Sequence, residues 1–264
     1  MGATGAVQHI LAIDIGNTTI DTGLYRGEIL VAHWRIATDR ERMTDEYAML
    51  LRALCDHAGF AWADLAGAII ASVVPPLTGP WEDLCRRYLG LQPLIVGRDG
   101  VEVGVQVLTD HPAEVGADRI VNSLAAFRRY GGPCIVIDFG TATSFDVVSR
   151  QGDFIGGVIA PGLGIAAEAL TSRTAKLPRI ELVPPPHVIG KNTVHCMQAG
   201  VVLGYVGLVE GLVQRIQAEI PDGPAKVITT GGLGETVARL TPIIEVVDPD
   251  LTLDGLRMIY EMNR

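Results

Sequence analysis

The sequence has few aromatic residues, 5% of the chain, and fewer cationic than anionic residues, with 21 Lys and Arg against 30 Asp and Glu. The net charge of −9 argues against a nucleic-acid-binding protein, because neutralising phosphates requires clustered Lys and Arg. A local positive pocket for a small anionic substrate is still compatible with this balance. With 264 residues, of which 48% are hydrophobic, the chain can bury the core of one large domain or of two lobes of about 130 residues each.

The sequence also lacks the spacings of metal-binding motifs. Its four cysteines lie 30, 49 and 62 residues apart, and its six histidines form no His-x-x-His pair. We therefore expect free, mostly buried thiols. No basic segment precedes an apolar stretch at the N-terminus, and Gly or charged residues break the longest apolar windows before 18 residues. These features predict a soluble, cytoplasmic protein that does not span a membrane.

Two nucleotide-binding signatures are missing as well. No GxxxxGK[ST] is present, which excludes a P-loop, and no GxGxxG opens a helix after the first strand, so a Rossmann dinucleotide site is unsupported. A different Gly-rich element, TTGGLG at 229–234, follows a predicted strand. Its bare backbone could admit a flat adenine ring.

One pattern occurs twice along the chain. IDIGNTTIDTGLY at 13–25 and IDFGTATSFDVV at 137–148 are apolar runs that end in Asp, followed by Gly and a cluster of hydroxyl side chains. Asp14 and Asp138 hold matching places in a repeat of about 124 residues. We therefore predict an α/β fold of two related lobes that face one another across a cleft.

Each half is predicted to contain three strands followed by alternating helices and strands, from hydrophobic periodicity and turn residues. In the first half the strands are HILAIDIG, two strands joined at Arg26-Gly27, AGAIIASVVPP and PLIVG, with helices near 43–59 and 80–90. In the second half the strands are PCIVIDFG, TATSFDVVS, QGDFIGGVIAPG, KVITTGG and IIEVVDPDL, with helices near 162–171, at 193–220 and at the C-terminus.

The two Asp-Gly motifs favour anion binding. A Gly after a strand permits a tight turn with outward-pointing N–H groups, and the adjacent Asn and Thr residues add side-chain donors. Asp14 could hold a metal ion or its waters. Either motif alone is also compatible with an ordinary hairpin turn in which Asp and Asn bond their own backbone. Two such motifs at matching positions suggest opposed sites that grip one polyphosphate.

The motifs resemble those of the acetate and sugar kinase/Hsc70/actin superfamily and, within it, the type III pantothenate kinases almost from end to end. The resemblance lies in the order and spacing of IDIGNTTIDTGLY, ASVVPP, HPAEVGADRIVN, VIDFGTATSFD, GGVIAPG, LPRIEL, IGKNTVHCMQAG and VITTGGLG. It implies two duplicated ribonuclease H-like lobes with mixed sheets and an ATP cleft between them. The implied actin-like ATPase lobes are residues 1–128 and 129–264.

The resemblance also implies the reaction, which is ATP-dependent phosphorylation of pantothenate to 4′-phosphopantothenate, the first step of coenzyme A biosynthesis. ATP would bind with Mg²⁺, a monovalent cation (K⁺ or NH₄⁺) would assist, and the chain would form a homodimer. The implied residues are Asp118 as the catalytic base; Gly116, Ala117, Asp118, Arg119 and Thr193 at the substrate; Asp14, Ile15, Gly16, Asn17, Thr18, Thr19, Ile20, Asp21 and Thr141 at ATP; and Asp138 at the monovalent cation.

Some of these residues have simpler interpretations. Asp118 could be an acid in the first turn of the helix ADRIVNSLAAFRRY, where the helix dipole favours it, and Thr193 could be a helix N-cap. Thr109 departs from the family, which commonly has a Tyr lining the pantothenate pocket at that position. Two alternative functions therefore stay open: a non-catalytic nucleotide-binding accessory or regulatory protein of the same fold, and a kinase for another small alcohol.

Overall fold

The computed structural model describes residues 9–221 and 223–264. Its strands are β1 (His9–Ile15), β2 (Thr19–Arg26), β3 (Ile29–Ala37), β4 (Leu65–Ser72), β5 (Leu94–Ile95), β6 (Cys134–Phe139), β7 (Ala142–Val148), β8 (Phe154–Pro161), β9 (Lys226–Thr230) and β10 (Val246–Val247). Its α-helices are α1 (Thr44–His57), α2 (Pro75–Leu84), α3 (Ala117–Tyr130), α4 (Leu163–Ser172), α5 (Thr193–Gln198), α6 (Gly204–Glu219), α7 (Gly234–Ala238) and α8 (Leu251–Met262).

The chain divides into two compact units. The first contains the chain as far as Gly104, together with Ala113–Ala125 and Thr252–Arg264; the second contains Val105–Pro112 and Ala126–Leu251. The C-terminal helix α8 therefore belongs to the first unit, whereas the predicted lobes divide the chain once, between residues 128 and 129. The assignment of two actin-like ATPase lobes at those bounds stays a prediction.

The first unit is built on a five-stranded mixed sheet in the order β3-β2-β1-β4-β5. β2 is antiparallel to β1 and β3, and β4 is parallel to both β1 and β5. The central strand β1 is apolar at nearly every position, because both of its faces are covered. Its residues pack with Tyr47 and Leu51 of α1 and with Trp81 of α2 in one buried cluster.

The second unit repeats this topology. Its sheet has the order β10-β9-β6-β7-β8, with β6 and β7 antiparallel, β7 and β8 antiparallel, and β9 parallel to β6 and β10. β6 is the counterpart of β1, and Asp14 and Asp138 are each the penultimate residue of their strand. The predicted structural repeat and α/β class are therefore confirmed.

Two helix predictions need correction. The helix predicted at 80–90 begins earlier, at Pro75, and continues as a π-helical turn over Cys85–Leu89. A proline in the first helical turn needs no N–H donor, so the Pro75-Pro76 pair, which follows β4 after Val73 and Val74, opens α2. The helix predicted at 193–220 is continuous but contains a π-helical turn over Ala199–Leu203 between α5 and α6.

That long helix also bears on the membrane prediction. Thr193–Glu219, 27 residues, is long and apolar enough to cross a membrane, with 44% of its most apolar window buried inside the protein. The glycines within this helix interrupt its apolar residues, as expected from the sequence, but they do not lower its mean hydropathy enough to fail this test of length and composition. A core helix of a globular protein passes the same test, and the helix is weak evidence for a span.

Candidate active site

The first candidate phosphate turn, residues 16–18, joins β1 to β2. The Gly16 N–H donates to the Thr19 carbonyl at 3.0 Å, and a Cβ at Gly16 would lie 2.9 Å from that same oxygen. The turn is therefore tight enough to require glycine. The segment after β3 supports it from outside, since the Thr38 hydroxyl donates to the Gly16 carbonyl at 2.6 Å and Arg40 donates to Asn17 Oδ1 at 2.9 Å.

The predicted ATP-contact residues around this turn differ in what they expose. Asn17 and Thr18 are exposed, and Asp14 and Gly16 are partly exposed. Ile15 and Ile20, in contrast, are fully buried in the hydrophobic core, so only their backbone groups could contact a nucleotide. Val73, which follows β4, donates its N–H to the Ile15 carbonyl at 3.0 Å and fixes the end of β1.

Asp21 lies opposite Asp14 in the β1–β2 register, so two carboxylates adjoin across the strands. Asp21 Oδ1 contacts His33 Nε2 at 2.9 Å and accepts from Arg35 Nε at 2.7 Å. Burial alone would raise the pKa of Asp21, but these two partners outweigh it and hold the pKa below the ordinary value. Asp21 is thus a charged, structurally engaged carboxylate, and its nucleotide contact stays a prediction.

The second candidate turn, residues 140–141, joins β6 to β7 in the other unit. Its support comes from glycine backbone. A Cβ at Gly162 would overlap the carbonyl oxygens of Gly140 and Thr141. A Cβ at Gly231, where φ is +83°, would lie 2.5 Å from Asp138 Oδ1. The Gly-rich element at 229–234 therefore packs directly against the Asp138 carboxylate.

A buried polar contact fixes the strand that follows this turn. The Tyr205 hydroxyl on α6 hydrogen-bonds to Thr143 Oγ1 and lies 3.1 Å from the Pro161 carbonyl oxygen. Thr143 is fully buried, whereas Thr141 is exposed. Of the two threonines in the second motif, Thr141 is therefore the accessible one.

Asp118 lies in the first turn of α3, in the first unit. Its Oδ1 accepts the Arg119 N–H at 2.8 Å, and a Cβ at Gly116 would lie 2.6 Å from that oxygen, so Gly116 gives the carboxylate its space. The same Cβ would lie 3.5 Å from Val73 Cγ1. Since Val73 is bonded to Ile15, the structure brings Gly116 and Asp118 close to the end of β1.

The pKa of Asp118 bears on the two interpretations of this residue. An acid held only by the helix dipole has a lowered pKa, because the dipole favours its charge. Burial instead raises the pKa of Asp118, against the opposing influence of the Arg119 N–H and guanidinium. A carboxylate whose pKa is raised by burial in the first turn of a helix is typical of a functional acid or base.

The Thr193 side chain is exposed at the first residue of α5. The N-cap of this helix is Asn192, whose Oδ1 accepts the His195 N–H at 2.8 Å. The N-cap interpretation of Thr193 was therefore wrong. The neighbouring segment carries exposed apolar side chains, Val188 at 73% and Ile189 at 82% exposure.

Thr109, the departure from the family pattern, belongs to the second unit. The preceding residue is anchored, since the Leu108 N–H donates to the Phe154 carbonyl at 2.8 Å. Thr109 Oγ1 itself is buried and has no hydrogen-bond partner within the described part of the chain. A buried hydroxyl without a hydrogen-bond partner is unfavourable, so a hydrogen bond to a polar group of a ligand would stabilise it.

Within residues 9–221 and 223–264, no group of three His, Cys, Asp or Glu side chains is arranged to hold a metal ion. The four cysteines are free and three of them are buried, as predicted; burial raises the pKa of Cys85 and Cys134 to about 12. Because the described residues contain no such group of three ligands, a divalent ion bound with ATP would take most of its ligands from phosphate oxygens and water.

Several supporting residues were not identified from the sequence. Thr38 and Arg40 reach the first turn from 20 residues away, and Gly162 meets the second turn from the end of β8. Gly162, the last glycine of GGVIAPG, indicated a close backbone approach, but nothing in the local sequence indicates which segment it approaches. Thr38 and Arg40 carry no motif at all.

The comparisons with known proteins agree with this geometry. Residues 10–215 match the family model described as type III pantothenate kinase. A type III pantothenate kinase from Roseiflexus castenholzii is 57% identical over 255 residues, covering 97% of this chain and 99% of the relative. One from Moorella thermoacetica is 51% identical over 254 residues, covering 96% and 99%.

Solved structures of other proteins share the fold. The (R)-2-hydroxyglutaryl-CoA dehydratase component A of Acidaminococcus fermentans superposes with a TM-score of 0.55 at 14% identity, covering 94% of this chain and 95% of that one. An inorganic polyphosphate/ATP-glucomannokinase from Arthrobacter gives 0.52 at 14% identity, covering 97% and 100%. The fold class predicted from the sequence is confirmed, and the chain belongs to the type III pantothenate kinase family.

Proposed function

We propose that this chain phosphorylates pantothenate with ATP, giving 4′-phosphopantothenate in the first step of coenzyme A biosynthesis. Near-complete coverage of type III pantothenate kinases at up to 57% identity supports this activity. The observation in the structure that carries it is Asp118, a carboxylate with a raised pKa beside a glycine that leaves it room. A cytoplasmic location accords with such a substrate.

Asp118 acts as the general base. Because Oδ1 already accepts the Arg119 N–H, we assign Oδ2 to the hydroxyl of the acceptor. A base whose pKa is nearer the working pH removes a proton more effectively than an ordinary Asp does. The hydroxyl oxygen attacks the γ-phosphorus in line, the bond to the β-phosphate oxygen breaks and ADP leaves. No covalent phospho-enzyme is needed.

The first turn is assigned phosphate contacts through the side chains of Asn17, Thr18 and Thr19 and through N–H groups other than that of Gly16, which donates to the Thr19 carbonyl. Asp14, partly exposed at the penultimate position of β1, is the carboxylate that we assign to Mg²⁺ on the ATP phosphates. Such Mg²⁺ ions take one or two carboxylates and complete their coordination with phosphates and water. Thr141 of the second turn is an additional ATP contact.

Asp138 fits a K⁺ or NH₄⁺ ion. A Cβ at Gly231 would lie 2.5 Å from Asp138 Oδ1, so the Gly231 backbone passes close to this carboxylate. Oxygen ligands of this kind suit a hard cation, whose charge would offset that of the phosphates when it is bound. The position of the ATP site relative to the two units stays a prediction.

Arg119 and Thr193 are assigned to the pantothenate, the guanidinium to its carboxylate. Thr193 would act across a homodimer. The supporting observations are the exposed apolar residues near α5 and the exposed Gly200 and Gly204, where an added Cβ meets no described atom within 4 Å. Light scattering should give twice the mass of 28.1 kDa, and a monomer at micromolar concentration would remove this assignment.

A second candidate is a kinase for another small alcohol, favoured by the unpaired Thr109 hydroxyl in place of the usual Tyr. The non-catalytic alternative has less support, since Asp14, Asp118 and Asp138 are all present. Turnover should be compared for pantothenate and a panel of sugars and polyols, in KCl and in NaCl. Of the alcohols in this panel, we expect only pantothenate to be phosphorylated. We expect its rate of phosphorylation to be lower in NaCl than in KCl. ATP binding without any turnover would exclude both kinases, and indifference to the cation would remove the role of Asp138.

A further inference from the structure

The C-terminal helix α8 lies against the helix that carries Asp118. A Cβ at Gly255 would lie 2.5 Å from the Val121 carbonyl oxygen and 3.2 Å from the Ala125 side chain. Only glycine allows this approach, so α8 rests on the backbone of α3 directly. Both helical segments belong to the first unit.

A directional contact, a side-chain hydrogen bond, joins the same two helices. The Thr252 hydroxyl donates to Asn122 Oδ1 at 2.7 Å, and Asn122 is 1% exposed. The neighbouring residues Val121, Leu124 and Ala125 are buried and apolar, and apolar packing alone permits small rotations and slides. A hydrogen bond between buried polar atoms restricts both, because a shifted partner is left unsatisfied.

Asn122 lies four residues after Asp118, on the same face of α3. Any rotation of α3 that breaks the Thr252 contact therefore also turns the Asp118 carboxylate. A catalytic group must be held within about 0.5 Å of its productive geometry. The carboxylate itself accepts the Arg119 N–H at Oδ1, from a neighbour on its own helix.

We propose that Thr252 and Asn122 are positioning residues for Asp118, and that α8 acts as a clamp on the catalytic helix. This inference rests on the proposed kinase activity. The clamp affects the chemical step and not the binding of either substrate. Its loss should therefore appear in kcat, with little change in the KM for ATP or pantothenate.

The test compares Thr252→Val with a matched control, Thr241→Val. Thr241 is a buried threonine of the second unit whose hydroxyl donates to Glu210 at 2.6 Å. We expect Thr252→Val to lower kcat roughly tenfold, since displacements of about 1 Å cost up to 10²-fold, with both KM values within about twofold. Thr252→Ser should restore kcat, and Thr241→Val should keep it while lowering the melting temperature.

Gly255→Ala gives an independent disturbance of the same contact, with Gly79→Ala as its control, because a Cβ at Gly79 in α2 meets nothing within 4 Å. Gly255→Ala should lower kcat and Gly79→Ala should not. If Thr252→Val and Gly255→Ala keep the wild-type kcat, or if they raise only KM, the positioning role is wrong.

Amide hydrogen exchange separates this inference from the proposed function. Thr252→Val should speed exchange in the peptide that contains Asp118 and Asn122, and Thr241→Val should not. A wild-type protein inactive on pantothenate would overturn the proposed function, while the exchange result would still decide the clamp. Unchanged exchange in Thr252→Val would overturn the clamp whatever the activity.

Discussion

The two Asp-Gly turns occupy equivalent places in sheets of the same topology, yet they are supported differently. The first turn is held by side chains, since Thr38 and Arg40 bond to Gly16 and Asn17. Around the second turn, Gly162 and Gly231 pack so closely that they leave no space for a Cβ. The duplicated scaffold has therefore kept the position of the Asp while different neighbours surround the two turns.

This difference indicates different tolerances. A side-chain hydrogen bond contributes about 0.5–1.5 kcal/mol, and its loss leaves the backbone path intact. A Cβ placed against backbone has no flexible neighbour to displace, so the turn itself must move. The proposed catalytic carboxylate adds a further asymmetry, because Asp118 belongs to the first unit.

The largest effect is expected for Asp118→Asn. Removing a general base typically costs 10²–10⁴-fold in rate, so kcat should fall by about that factor while ATP binding is kept. If the variant kept its turnover, Asp118 would not be the base. The asymmetry that follows from its place in the first unit would then also be wrong. Asp118→Ala removes the carboxylate without introducing a side-chain amide. A similar loss of kcat in both variants would therefore show that loss of the base is the cause.

The same variant has a stability signature whose sign follows from the pKa. The folded-state pKa of Asp118 is raised above the ordinary 3.8, so the folded state binds its proton more tightly than the unfolded state does. Its contribution to stability is complete below the ordinary pKa and is lost as the pH rises through the raised pKa. Asp118→Asn should therefore raise the melting temperature at pH 7, and the gain should vanish at acid pH. A lower melting temperature at pH 7 would contradict this.

The next effect is that of Gly231→Ala. A non-glycine residue at φ +83° is strained by about 1–3 kcal/mol, and its Cβ would push on Asp138. We expect a lower melting temperature and a weaker response of the rate to K⁺. Gly164→Ala is the control, since a Cβ there meets nothing within 4 Å. Equal behaviour of the two variants would show that the backbone contact is unimportant.

The smallest effect is that of Thr38→Val at the first turn. Loss of its hydrogen bond to Gly16 should raise the KM for ATP by about three- to tenfold, from the value of one such bond, with kcat nearly unchanged. If Thr38→Val were as damaging as Gly231→Ala, the contrast between side-chain and backbone support would fail. Steady-state kinetics at saturating pantothenate measures both.

The sequence predicted what depends on local pattern. The apolar runs ending in Asp14 and Asp138 gave both central strands and their equivalence, because strand burial and turn chemistry act over a few residues. Contacts between distant segments were not predictable: the approach of Gly255 to α3, the bond from Thr38 to the first turn and the place of α8 in the first unit. Pro75 shows the limit of a local rule, since the double proline predicts the end of a strand but is the start of a helix.

The account is tested most directly by measuring the phosphorylated product. The full chain is incubated with MgATP and pantothenate in KCl, and 4′-phosphopantothenate and ADP are quantified by mass spectrometry, with Asp118→Asn in parallel. The account predicts equal amounts of the two products from the wild type and almost none from the variant. ADP without 4′-phosphopantothenate, or equal yields from both proteins, would contradict it.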